Sequence, residues 1–488
     1  MSTILVNPLP LSAPFVGSAT LVCCSSASIS FTAPSSNGGI PITKYVATSN
    51  PGNITATLTQ SGSGTITVTG LGSGSYYPHS YNFTITAYNG FGQGPASSAT
   101  NYVVPQMTVT TGYLYGWGYN QGGQLGLGFH GPTGNTCASV CSPAVIGASQ
   151  SWGLVTSAGI CGSSFAVKCS GGNGTLWAWG YDGRNIGLLG LGNWNSYSSP
   201  VQVGSMTNWS TQPGHLTSML NTTFAIKKDG TLWAWGANDV GQLGLNDTTN
   251  RSSPTQVGND YWRWVTAGNL SLAIKTDGSL WGWGYNYAGI LKSTNIREFI
   301  SSPVQIGSDN NWATVISGLS YSALATKLDG TLWAVGYNGY GQLGLNDTVD
   351  RSNFTQIGTS TWVVAAIGTL HSLAIDTYGR LYSWGYNAKG SLGLGDTIDR
   401  YSPTQVGSLT SWKFAKAGGN WNSIAITSNG HLYAWGFNFP GQTGLYIVDN
   451  SATLSPTQVG SAPFRWANLS SQSNGSEFAI LSPFDPPY

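Results

Sequence analysis

An all-β chain is predicted, a β-sandwich followed by a closed array of repeated four-stranded sheets, and three observations predict it. First, the run Leu232-Trp-Ala-Trp-Gly236 recurs with variation seven times: at 114–118, 176–180, 232–236, 280–284, 332–336, 381–385 and 432–436. Successive copies lie roughly 48 to 62 residues apart, the spacing of stacked or circular repeats. Second, Asp229-Gly230, Asp277-Gly278, Asp329-Gly330, Asn429-Gly430 and Asn173-Gly174 stand just before the motif, where a two-residue turn makes a hairpin. Third, residues 1 to about 104 contain no Trp and alternate β-branched or aromatic residues with Ser and Thr.

In the first 104 residues, Ala27 to Phe31, Ile42 to Ala47, Thr65 to Val68 and Tyr81 to Tyr88 read as period-2 strands. Turn clusters at Asn37-Gly38-Gly39 and Ser73-Gly74 separate them. Short strands so spaced predict a sandwich. The stretches from Phe31 to Tyr45 and from Tyr81 to Ser97 resemble the B to C and F to G regions of the fibronectin type III family. Tyr81 stands at the tyrosine corner, and Phe31 stands where a Trp is usual. No Arg-Gly-Asp occurs, so integrin-type binding is not implied.

Residues 105–112 are expected to link this domain to the repeats and bring the chain into them. Within a repeat, Phe224 to Gly236 reads as two strands joined through Asp-Gly, with Leu232 and Ala234 on one face and Trp233 and Trp235 on the other. Large side chains on one face and small ones on the other would interlock neighbouring sheets, so both faces are expected to be buried. Gly241-Gln-Leu-Gly-Leu, Ser253-Pro-Thr-Gln-Val-Gly258 and Trp264-Val-Thr-Ala-Gly268 complete about four strands per repeat. The array begins on a Leu-Tyr-Gly-Trp-Gly strand and ends on Phe478 to Leu481, elsewhere hairpin partners. They are expected to pair across the termini and remove the free edges. These motifs, above all Gln242 to Arg251 and its counterparts ending at Arg351 and Arg400, resemble the repeat of the regulator of chromosome condensation family. The resemblance covers 113–482, implies a seven-bladed β-propeller, and leaves 483–488 as a tail. Copy four departs most, at Ile290-Leu-Lys-Ser-Thr, and copy five has Val335 in place of a Trp.

Composition excludes several classes. Charged residues are 7% and the net charge is +1, which leaves no electrostatic footprint for nucleic acid. No stretch approaches eighteen apolar residues and no signal peptide is legible, so membrane insertion is not expected. Cys23, Cys24, Cys137, Cys141, Cys161 and Cys169 fit no CxxC metal pattern and read as structural thiols, unpaired or locally paired. No motif for a hydrolase nucleophile, a phosphate loop or a zinc protease occurs, and His79, His130, His215, His371 and His431 are scattered. No catalytic residue, metal or cofactor is therefore expected.

Three features bear on function. The pairs Asp247 with Arg251, Asp347 with Arg351 and Asp396 with Arg400 read as turn caps with bracing arginines. The tryptophans read as packing: a photoreceptor member of the family carries a Gly-Trp-Arg-His-Thr motif, missing here. Asn-X-Ser/Thr sequons, among them Asn53 and Asn221, are accounted for by a composition rich in these residues. The candidate binding residues are those following each Trp-Gly or its variant: Tyr119, Tyr181, Tyr285, Tyr337, Tyr386 and Phe437, with Ala237 in the third copy. Equivalent positions of a propeller form a ring, and aromatics there suit stacking on proteins or sugars.

The expected function is non-catalytic binding, with the propeller as a rigid platform and the first domain as spacer or anchor. Low charge, abundant Gly and aromatics resemble bacteriophage tail, fibre or decoration proteins, and point to a virion or extracellular surface, the alternative being cytoplasmic. Partners would then be other proteins, including virion proteins, or cell-surface glycans. The family resemblance implies two alternatives, guanine-nucleotide exchange on a small GTPase and inhibition of an enzyme by covering it.

Overall fold

The computed structural model describes residues 10–23, 26–50, 53–71, 81–103, 111–129, 139–149, 151–158, 162–170, 173–182, 186–287, 289–291, 298–419, 421–438, 441–445, 452–460, 466–471 and 476–481. The Ser73-Gly74 turn, Cys24, Cys137, Cys161, His79, His130, most of the linker and the tail lie outside them. Every named element among the described residues is a strand. No helix is long and apolar enough to cross a membrane. The chain forms two compact units, Met1–Thr108 and Val109–Tyr488.

The first unit has seven strands: β1 (Phe15–Cys23), β2 (Ser26–Thr32), β3 (Ile42–Asn50), β4 (Thr55–Leu58), β5 (Gly64–Thr69), β6 (Asn82–Asn89) and β7 (Gly92–Ala96). They make two sheets, ordered β1-β2-β5 and β4-β3-β6-β7, around one core that includes Ala27, Ile29, Tyr45, Val68, Phe83 and Ile85. Phe31 packs into this core, its ring 4.4 Å from that of Tyr45. Strand β1 was not legible because its register shifts between Val16 and Ala19, which breaks the two-residue period. Asn101 repairs the shift: its amide accepts from Ala19 N at 2.8 Å and donates to Ala19 O at 3.0 Å.

In the second unit the strands of every sheet but the closing one lie in chain order, as in Trp312–Ser317, Ser322–Lys327, Leu332–Gly336 and Arg351–Gln356. Four such four-stranded sheets occur among the described residues, with one of seven strands and one four-stranded sheet assembled from both ends of the repeats. The larger sheet arises because Arg251–Thr266 runs uninterrupted from the last place of one set to the first place of the next. The predicted hairpins form where Asp-Gly stands. Asp229 Oδ1 accepts from Thr231 N at 2.9 Å, and Gly230 takes φ 87°, which only glycine enters freely.

Trp-Gly is the joint between copies. Where the motif keeps its second Trp the ring is fully buried, and in four copies its indole N–H reaches into the preceding copy: Trp179 to Gln124 O (2.8 Å), Trp283 to Gln242 O (2.8 Å), Trp384 to Gln342 O (2.9 Å) and Trp435 to Ser391 O (2.9 Å). Trp235 is equally buried but makes no such bond among the described residues. A serine at the head of the next strand shares most of these carbonyls, as Ser372 shares Gln342 O at 2.7 Å. The glycine two residues after the accepting residue lies under the ring: a Cβ on Gly344 would stand 2.8 Å from Trp384 Nε1. The terminal copies use the same joint, Trp117 donating to Gln442 O at 3.0 Å across 325 residues. There the strands Trp466–Ser471, Ser476–Leu481, Tyr113–Tyr119 and Ser139–Val145 form one sheet from both ends of the repeats. Ser476 pairs with Gly118 and Leu481 with Tyr113, the closure that strand order predicts.

One expectation is corrected. The alternation put both tryptophans on a buried face, but the first is only half-buried because it lies at the hairpin end, beyond the reach of the neighbouring copy. A lysine covers it instead. Lys168, Lys227, Lys275 and Lys327 place Nζ 4.0, 3.7, 3.5 and 4.0 Å from the rings of Trp177, Trp233, Trp281 and Trp333. A second, edge-on Trp completes each clamp, as Trp152 does beside Trp177 at 6.2 Å.

Candidate functional site

The residue after each Trp-Gly is positioned by its own backbone. The glycine before it has φ between 91° and 105° in all seven copies, and in six a Cβ there would lie within 2.5 Å of a carbonyl at the head of the paired strand. That carbonyl accepts the next N–H: Tyr181 to Gly162 O, Ala237 to Asn221 O, Tyr285 to Asn269 O, Tyr337 to Tyr321 O, Tyr386 to Leu370 O and Phe437 to Trp421 O, all between 2.7 and 3.3 Å. The side chains thus leave equivalent strand ends, opposite the hairpin turns. Tyr119, Tyr285, Tyr337, Tyr386 and Phe437 are half-buried, and Tyr181 is 41% exposed.

Not all of them meet. Tyr119 donates its hydroxyl to Gln121 of its own loop, and Tyr181 lies against Gly122 of the preceding copy. Tyr285, Tyr386 and Phe437, but not Tyr337, join into two chains of ring contacts. Tyr285 packs against Tyr321 at 5.7 Å, and Tyr321 stacks on Tyr287 at 4.6 Å. Tyr340 meets Tyr386 at 5.3 Å, Tyr386 meets Trp421 at 6.3 Å, and Trp421 meets Phe437 at 6.2 Å. Lys389 closes the far end, 5.4 Å over Phe437. Tyr337 rests its hydroxyl on Gly339 of its own loop. Burial, then the neighbouring Tyr340 phenol, the Asp350 carboxylate and the Tyr287 phenol, push the Tyr337 phenol up.

Sequence reasoning missed Tyr321, Tyr340 and Trp421. Tyr321 and Trp421 occupy the same place in their copies, immediately before Ser322 and Asn422, so aligning copies on the paired strand would have found them. Both have φ 57°, a left-handed conformation that costs bulky residues about 1–2 kcal/mol. The surrounding structure holds these two aromatics in place despite that cost.

The loops that follow are tied by their own hydrogen bonds. Asn238 donates Nδ2 to Asp247 O at 2.9 Å and accepts from Leu243 N at 2.9 Å; Asn338 and Asn387 repeat the pattern. Asp247 accepts from Thr249 N at 2.9 Å and from Arg251 at 2.6 Å. The Arg251 bond first, then that N–H, hold its carboxyl below the ordinary range. These pairs cap and brace turns, and present Val349 and Ile398 at the tips, 61% and 65% exposed.

Copy two carries Asp182 where the others have Asn, fully buried, accepting from Leu188 N at 2.7 Å. Asparagine there both accepts and donates, and an ionised carboxylate only accepts. Burial pushes its carboxyl up despite the N–H groups of Leu188, Leu189 and Gly187. A carboxyl raised on folding adds stability below its unfolded value of about 3.9, and that stability is lost as pH rises through the folded value. Asp182→Asn is accordingly expected to raise the melting temperature at pH 7, by the equivalent of about 1–3 kcal/mol, with the gain shrinking toward pH 4. Equal melting of both proteins across that range would refute this. His371 is also fully buried, its Nε2 2.9 Å from Ser423 Oγ, and burial lowers it to about 4. It is a neutral core residue.

Among the described residues no three His, Cys, Asp or Glu side chains gather as for a metal ion. Repeated four-stranded sheets, bolted copy to copy and closed through the termini, define a repeat β-propeller. The RCC1-like domain family matches residues 220–481, more than half of the chain, and the chain belongs to that family. It is 26% identical over 347 residues to the Ultraviolet-B receptor UVR8 of Arabidopsis thaliana, covering 70% of this chain and 64% of the receptor. It is 32% identical over 145 residues to the X-linked retinitis pigmentosa GTPase regulator of Canis lupus familiaris, covering 30% of this chain and 13% of that protein. The chain thus spans less than two-thirds of these relatives. Among solved structures it resembles Prp20p of Saccharomyces cerevisiae, described with its binding to Gsp1p and histones, at TM-score 0.66 and 19% identity over 77% of this chain and 92% of that one. Human WBSCR16 superposes at TM-score 0.63 with 18% identity, over 76% and 99%. At these identities the likeness shows the fold.

Proposed function

We propose that this protein is a non-catalytic interaction platform whose seven-bladed propeller docks a partner protein on the face bearing Tyr285, Tyr337, Tyr386 and Phe437. The observation that carries the reading is the repeated backbone bond after Trp-Gly, which sets half-exposed aromatics at equivalent strand ends without using them as core. Tyrosine and tryptophan are the residues protein interfaces most often use as anchors. Membership of the RCC1-like family supports the reading, since the yeast relative of the same fold is described with protein partners. The first unit, with its three- and four-stranded sheets, serves as a fibronectin type III-like spacer or anchor. A virion-surface setting rests on the low charge and adhesion-like composition, and purified particles lacking this chain by mass spectrometry would remove it.

A photo-crosslinking amino acid at position 340, against the same residue at 378, tests the face. Tyr378 is 73% exposed in the hairpin turn at the opposite strand end. Crosslinks to a partner are expected from 340 and not from 378, and equal yield from both would refute the assignment. If the partner is a small GTPase, guanine-nucleotide release in the presence of the propeller decides whether the platform is also an exchange factor.

A further inference from the structure

Copies five and six set a carboxylate beside the aromatic that follows Gly336 or Gly385. Asp350 Oδ1 accepts from Asn338 N at 2.8 Å, one residue beyond Tyr337, and Asp399 Oδ1 accepts from Asn387 N at 2.7 Å, one residue beyond Tyr386. The loop does not need the charge. In copy three Asn250 Oδ1 makes the same bond to Asn238 N at 2.8 Å, and in copy two Ser196 Oγ makes it to Asp182 N at 3.0 Å. The cap therefore does not require the charge, which appears in the two adjacent copies where Tyr340 and Tyr386 touch. In copy three, where the carboxylate is an amide, the aromatic is Ala237. The charges are also not cancelled: Asp347 and Asp396 of the same loops pair with Arg351 and Arg400, whereas Asp350 and Asp399 make no ion pair among the described residues. Asp350 is exposed and Asp399 half-exposed, each with Oδ2 left over.

A tyrosine face with a fixed carboxylate at its edge, repeated in adjacent copies, is complementary to guanidinium groups. The planar cation stacks on the ring while its N–H fork meets the carboxylate. We propose that the surface made by Tyr337, Tyr340, Tyr386, Asp350 and Asp399 binds an arginine-bearing segment of the partner protein. This rests on the platform reading above and names the chemistry of its occupant. Lys389 of copy six reaches over Phe437 and disfavours cations at that end, which leaves the edge between copies five and six, where Tyr340 meets Tyr386, for the basic residues.

Titration calorimetry with the full chain and three synthetic peptides of equal length tests it, one alternating Arg with Ser, one Lys with Ser and one Asp with Ser. The Arg peptide is expected to bind at least tenfold more tightly than the Asp peptide and to weaken as salt rises. Asp350→Asn with Asp399→Asn should weaken it at least tenfold while leaving the melting temperature unchanged, since Asn250 shows that the amide keeps the loop. Tyr340→Ala should weaken it similarly. Equal binding of Arg and Asp peptides, or no loss in the double variant, overturns the proposal. If crosslinking from position 340 captures a partner while the Arg peptide fails, the platform stands and the basic occupant falls; failure of both removes both.

Discussion

Trp384→Ala is expected to cost about 3–5 kcal/mol, the range for emptying a fully buried aromatic site. The ring is entirely inaccessible and belongs to a core cluster that spans two copies, with Leu324, Leu332 and Ala334 from one and Ala374 from the next. Collapse into the hole is resisted because Gly344 already lies against the indole and Trp362 stands 6.3 Å away. The N–H is a separate contribution. Trp384→Phe keeps most of the apolar contact but gives up the bond to Gln342 O, which Ser372 still satisfies. That variant should lose only about 1–2 kcal/mol. Urea unfolding of the two variants measures the ratio, and equal losses would mean that the hydrogen bond rather than the packing holds the joint.

The joint also explains the two irregular copies as one event. Val335 of copy five replaces the tryptophan that would lie on the preceding copy's loop glycine, and in copy four Lys292 stands in that glycine's place. Lys292 lies outside the described residues, but the sequence alone shows both halves of the joint changing together. Such a coupling is readable once the glycine and the tryptophan are known to touch between copies, and nothing local to either motif announces it. Hairpins, the Trp-Gly strands and terminal pairing were legible because each follows from a short-range rule: a two-residue turn, a period of two, the order of strands. The half-exposure of Trp233 and its relatives was not, because it depends on where the neighbouring copy's loop ends. The meeting of Tyr340 with Tyr386 escaped for the same reason. Position after Trp-Gly predicts a ring of equivalent places, but contact between rings is set by loop residues of adjacent copies, as with Tyr321 and Trp421. Asp350 and Asp399 were legible as loop residues; only comparison with Asn250 and Ser196 in the same bond separates their charge from their capping role.

The larger loss is expected from removing the closing strand. A chain ending before Ser476 loses Phe478, Ala479, Ile480 and Leu481, all fully buried. Phe478 and Ile480 belong to a core cluster with Leu114, Trp152 and Trp179, so the deletion loosens the next sheet as well as its own. Burial of the three large side chains alone contributes about 1.5–3 kcal/mol each. The strand also lies between Trp466–Ser471 and Tyr113–Tyr119, so its removal bares two edges within one sheet. It removes the bonds from Asn422 to Glu477 Oε1 at 2.8 Å and from Ser476 Oγ to Tyr119 O at 2.8 Å. Domains are stable by only about 5–15 kcal/mol, so the truncated propeller should lose its cooperative thermal transition and aggregate through the exposed edges. A synthetic peptide covering residues 476–481 should restore the transition in trans, because the slot it fills is otherwise built. Melting of the truncated chain within a few degrees of the full one would show that the copies hold together without the clasp, and that copy-to-copy joints such as Trp384 carry the stability of the ring.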